Sequence, residues 1–144
     1  MKPLRLAALD EEDLKIVSAH MQDAVLKVGD IDYRPGDGRL LLPVNRFAWE
    51  IPQRLFRRHN ERRNAVLQFD RVVAMRSSGL DRGKKDAILA VLAIRFEETE
   101  APSGRVEIVF SGDAAIRLDV ECIEARLTDL GAAWQAASRP AHPR

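Results

Sequence analysis

Cysteine is nearly absent from the chain: Cys122 is the only one among 144 residues, so no intramolecular disulfide can form. That agrees with a reducing compartment. Histidine is almost as scarce. His20, His59 and His142 have neither helical nor finger-like ligand spacing, and Cys122 has no thiol partner. Neither a metal site nor a cofactor is therefore expected. Aromatic residues make up 6% of the chain, few for stacking platforms that hold single-stranded nucleic acid. Glycines occur at neither GxGxxG nor P-loop spacing. No GxSxG elbow marks a nucleophilic serine. Long apolar runs are missing too. The longest, Ala87 to Ile94, is strand length, well short of the roughly 18 residues that would suggest a membrane span. Acids follow the N-terminus too soon for a secretory signal. The expectation is a cytoplasmic protein with no membrane partner, and more a binder than an enzyme.

What is present is enough for one domain with its own core, placed at 1–134, followed by a flexible tail over 135–144 with Pro140 and Pro143. Asp10 is a helix N-cap candidate, and Glu11, Glu12 and Asp13 favour the positive end of a helix dipole. Leu14, Val17 and Met21 then recur at helical spacing, which predicts a helix over 11–22. A short strand at Leu4–Ala7 precedes it. Beyond the helix the period changes to two. Strands are predicted near 26–33, 39–50, 65–76, 88–96, 106–110 and 116–122, with turns at Pro35–Gly38, Ser77–Lys85, Glu97–Gly104 and Ser111–Asp113. The last three strands form an antiparallel meander. Leu40, Leu42 and Val44 share a face whereas Phe47 and Trp49 fall in the opposite phase, which predicts a bulge near Asn45 or Arg46. Ala65, Leu67, Phe69, Val73 and Met75 form one inward face. Ile88, Ala90, Leu92, Ile94 and Phe96 form another. Ile123, Leu127 and Leu130 fit a short C-terminal helix ending at Gly131, or a continued strand.

The fold class is α+β: a strongly bent antiparallel sheet or partly open barrel of six to seven strands with an N-terminal helix. A pleckstrin-homology-like barrel is one concrete version.

Chemistry concentrates in one place. Residues 51–64 hold Arg54, Arg57, Arg58, Arg62 and Arg63 against the single acid Glu61, a local net charge of +4. With the chain at +1, the remainder carries −3. Arginine favours planar, bidentate contact with carboxylate or phosphate. The segment suits an acidic protein partner, or alternatively RNA, and it also fits a solvated loop. Glu61 follows Arg57 and Arg58 at helical spacing and can neutralise part of the charge. Arg71 falls on an apolar strand face, so it is the candidate for a buried polar site. A dispersed catalytic site would draw on Arg71, Asp70, His20 and Glu121. Cys122, in phase with Ile116, Leu118 and Val120, is expected to face the core as an inert thiol. The acids Glu97, Glu98 and Glu100 mark a hairpin tip.

Three strings are distinctive: Leu9-Asp10-Glu11-Glu12-Asp13-Leu14 through Ser18-Ala19-His20-Met21-Gln22-Asp23-Ala24-Val25, then Asn45-Arg46-Phe47-Ala48-Trp49-Glu50, and Leu118-Asp119-Val120-Glu121-Cys122-Ile123-Glu124. Together they resemble a family of small proteobacterial cytoplasmic proteins, domain of unknown function 2948. The resemblance reaches to about Trp134. It implies a self-contained bacterial domain and supplies no catalytic residue, cofactor or substrate.

Overall fold

The protein is described by a computed structural model over residues 3–47 and 62–130. Helix α1 (Glu11–Met21) begins where the capping pattern places it: Asp10 accepts a hydrogen bond from the Asp13 backbone N–H at 2.8 Å. Leu14, Val17 and Met21 are its buried residues. Ten strands follow the chain in order: β1 (Arg5–Ala8), β2 (Val25–Lys27), β3 (Asp32–Arg34), β4 (Arg39–Phe47), β5 (Arg62–Phe69), β6 (Val72–Ser78), β7 (Ile88–Glu98), β8 (Gly104–Phe110), β9 (Ala114–Val120) and β10 (Ala125–Asp129). Their pairing runs β1-β10-β5-β4-β2-β7-β8-β9-β6, with β3 also on β4. Every pairing is antiparallel. The sheet is open, because the terminal strands β1 and β6 do not pair with each other. It is nevertheless bent, since β6 at one end of the path directly continues β5 in its interior.

The expected six to seven strands become ten because bends divide two of the longer ones and residues 125–129 add another. The 65–76 strand breaks at Asp70-Arg71, where Arg71 takes φ 60°. That left-handed residue changes the face. Val72 is buried and Val73, expected inside, is 65% exposed. The 26–33 stretch divides around a 3-10 turn at Val28–Asp30. Of the two readings after Cys122, the strand holds: Ala125–Asp129 is a strand between β1 and β5. Cys122 lies half-buried in the turn before it rather than facing the core.

The bulge expected at Asn45 or Arg46 does not exist. β4 pairs with β5 without a break from Leu40↔Phe69 to Phe47↔Arg62. Arg46 simply occupies the next inward position after Leu40, Leu42 and Val44. The bulges lie instead at Val72/Ala74 in β6 and Val91/Ala93 in β7. The one in β7 reverses the expected phase of its first half. Leu89 and Val91 are buried, whereas Ile88 and Leu92 face outward; beyond the bulge Ile94 turns inward as expected. Helix α1 and the turn after it supply polar partners to this strand. The Ser18 Oγ accepts from the Ile94 N–H at 2.9 Å, and the Val91 N–H and C=O bond to Ala24 and Asp23. The helix is thus tied to the strand that carries the sheet around its bend.

The meander β7-β8-β9 forms as expected. Gly104 opens β8 beneath Phe96, whose ring lies 2.3 Å from where a Cβ would be. Gly104→Ala should therefore lower unfolding free energy by about 1–3 kcal/mol, the usual cost of overpacking. Urea denaturation of both proteins would check this. An unchanged midpoint would show that the ring moves aside freely.

Candidate functional site

The buried arginine is Arg46, not Arg71. Its Nε and Nη2 donate to the two carboxylate oxygens of Asp129, each at 2.8 Å, in a bidentate fork. The two side chains are 0% and 1% exposed. Strand β5 lies between their two strands, and its residue Ala65 sits opposite both Val44 and Asp129. A small residue there leaves room for the pair to reach across. Asp129 also accepts from the Leu4 N–H at 2.9 Å and donates its own N–H to the Leu4 carbonyl. The pair therefore joins β4 and β10 to the start of β1.

Arg71 is exposed, with its side chain 59% accessible, contrary to the reading of a buried polar site. The left-handed turn at residue 71 swings it off the apolar face. It lies 3.5 Å from Glu124 and 3.9 Å from Glu121. These residues line a polar cleft of about 490 Å³, where the β5-β6 bend and the β9-β10 bend meet the turn at Pro35–Asp37. Asp70 is its most buried charge. It accepts from Arg39 Nε and from Gln68 Nε2, each at 2.8 Å, and Arg126 lies 3.9 Å away. Burial pushes the Asp70 carboxyl up, but the hydrogen bonds from Arg39 and Gln68 and the charges of Arg39 and Arg126 outweigh it. Its pKa falls below the ordinary carboxylate value. So Asp70, Arg71 and Glu121 do assemble, while His20 stays on α1 with Nδ1 3.0 Å from the Ile16 carbonyl oxygen. An anionic, doubly hydrogen-bonded carboxylate is a poor proton carrier near neutrality. The cleft reads as an ion-pair network that fixes the two bends. Among the described residues no group of three or more His, Cys, Asp or Glu could hold a metal ion.

Of the arginine-rich segment, Arg54, Arg57 and Arg58 lie outside the described residues. Arg62 and Arg63 open β5. The Arg62 guanidinium lies 4.0 Å from the centre of the Phe47 ring and donates through Nη1 to the Asn45 carbonyl and Oδ1. Arg63 is half-buried opposite Arg46. Because pairing continues to Phe47↔Arg62, the segment leaves and re-enters the sheet at directly opposed positions.

No short motif signalled the Arg46–Asp129 pair, whose members are 83 residues apart. The available clue was a misfit in phase: an arginine at an inward position of β4 and an aspartate at one of β10.

The model of the family described as a protein of unknown function, DUF2948, matches residues 4–142. The chain belongs to that family. The match takes in all of α1 and β1 to β10, with both members of the buried pair and the whole arginine-rich segment. No curated protein and no solved structure matches the chain.

Two predictions follow from the charges. Arg46→Ala or Asp129→Ala should each cost about 3–5 kcal/mol, because each strands a buried charge. The double change Arg46→Met with Asp129→Leu should cost clearly less than either single change, and denaturant titration would compare them. For Asp70 the folded pKa is lowered, so its stabilisation is complete above the unfolded value of about 3.9. It is lost as pH falls through the folded value. The stability gap between wild type and Asp70→Asn should be constant near neutrality and close below about pH 4. A gap independent of pH would show that the carboxylate charge is irrelevant.

Proposed function

We propose that the protein is a non-catalytic binding or adaptor module whose arginine-rich segment, 51–64, contacts an acidic protein surface. The observation that carries this reading is the contrast between the chain's two concentrations of charge. The polar cleft pairs its arginines with neighbouring acids. The segment instead carries five arginines against one acid; Arg62 and Arg63 open β5, and the other three belong to a connection whose two ends are held together by the β4-β5 ladder. A charged excursion on a rigid base suits recognition, since the scaffold limits the entropy lost on binding. The lowered pKa of Asp70 supports the same reading, because it leaves the cleft's most buried acid fixed as an anion. No described helix is long and apolar enough to cross a membrane. Cytoplasmic placement and a pleckstrin-homology-like arrangement of the bent sheet belong to this proposal as well.

Replacing Arg57, Arg58 and Arg62 by Ser should abolish capture of a specific protein from native lysate, with an unchanged circular dichroism spectrum. Unchanged capture would overturn the proposal. Nuclease treatment separates the RNA alternative. Capture lost with nuclease, with a log–log salt slope of roughly −3.5 for five contacts to a single strand, would assign the arginines to RNA.

A further inference from the structure

The described chain ends at Leu130, on a fixed point. Asp129 is held by Arg46 and by the Leu4 backbone, and Leu130 donates its N–H to the Asn64 carbonyl at 2.9 Å. From there the register carries a straight row across the sheet. Asn64 on β5 lies opposite Asn45 on β4, Asn45 opposite Val25 on β2, and Val25 opposite Ala90 on β7. Beside this row the sheet parts. β4 meets β3 over Arg39–Leu41 and β2 only at Asn45, so among the described residues 42–44 have no strand partner on that side. Pro43, which lacks an N–H, lies in the gap.

The opening is a groove of about 280 Å³, and Leu130 itself stands on its lining, with Val25, Pro43, Val44 and Ile88. Ile88 is 58% exposed there. The two charged residues of the lining, Lys27 and Asp30, cancel. The groove therefore suits a neutral, apolar occupant rather than an ion of either sign.

Such an occupant begins where the groove does. Residues 131–144 follow Leu130, and the first eight of them, Gly131 to Ser138, carry no charge. Trp134 is the one large apolar residue among 131–144. The gap beside β4 is two strand spacings from β10, about 10 Å across the sheet. Four extended residues span up to about 13 Å, enough to bring Trp134 from Leu130 to the gap. Gly131, with the widest choice of backbone angles, stands where the chain has to turn across the strands. The family model also runs on through this stretch, to residue 142. Residues 48–61 fit less well, since their arginines find no net opposite charge on the lining. We infer that residues 131–134 cross the sheet as a strap and that the Trp134 indole fills this groove, closing the gap between β4 and β2. With the groove occupied from within, the arginines remain the surface open to a partner, and neither assignment depends on the other.

The chain has two tryptophans, so Trp49→Phe leaves Trp134 as the only reporter in the full chain. Its emission maximum and its quenching by acrylamide are read in buffer and in urea. The expected result is blue-shifted emission in buffer, with quenching well below the urea value and unchanged on dilution. Adding Ile88→Lys should bring both readings toward those in urea. Leu92→Lys, at another exposed position of β7 that is off the groove lining, should leave them as they were. Equal readings in buffer and urea would overturn the strap. A shielded Trp134 indifferent to Ile88→Lys would place the indole elsewhere and overturn the groove as its site. Shielding lost on dilution would give the groove to the segment of a second copy and overturn the intrachain strap. Should Trp49→Phe fail to fold, Trp134→Ala in the otherwise unaltered chain is compared with wild type by amide NMR. Shifts at Val25, Ile88 and Asn64 are expected, and their absence would overturn the strap equally.

Discussion

The structure depends on a charge placed where a hydrophobic residue would ordinarily go. Arg46 and Asp129 are buried at inward positions of β4 and β10, and each balances the charge of the other. Removing two charges from water costs several kcal/mol per ion before their attraction is counted, so such a pair contributes little net stability over an apolar replacement. Its effect is selective. It specifies the register of β4 and β10 across β5, since slipping either strand by one residue would turn one charge out and leave the other unpaired in the core. The backbone bonds between Leu4 and Asp129 extend that selection to β1.

The opposite end of the sheet is held by a different device. The chain bends at Asp70-Arg71 and again between Val120 and Ala125, and at both places the ladder is interrupted. The interruption is bridged by single backbone bonds, Asp70 to Glu124 and Glu121 to Arg71, and by the ion pairs around Asp70. These charges are partly solvated, so each pair is weak alone, and their value lies in being a network. The molecule therefore uses buried charge to fix strand identity and exposed charge to steady the corners.

Much of this was legible locally. Asp10 with three acids behind it announces a helix start, and Leu14, Val17 and Met21 announce its buried face. The strands of the β7-β8-β9 meander alternate clearly and are joined by short turns rich in Gly and Pro. The failures share a cause. Alternation extended through a left-handed residue and a bulge that no sequence symbol marks puts Val73, Ile88 and Leu92 in the core, whereas all three are exposed. The same extension places Arg71 inward, and the opposite phase of Phe47 and Trp49 suggests a bulge near Asn45 or Arg46 where Arg46 in fact continues the inward row.

The sequence alone determined what depends on neighbours a few residues away: the helix, its cap, the antiparallel meander, the absence of ligand spacing and the concentration of arginine at 51–64. Tertiary structure decided what depends on partners far along the chain. Residues 125–129 are compatible with a helix until β1 and β5, more than half the chain away in one case, offer two ladders to fill. Arg46 is an error in an apolar row until Asp129 arrives from 83 residues away. Local propensity is worth tenths of a kcal/mol per residue, whereas an unsatisfied buried charge costs several, so the distant partner prevails.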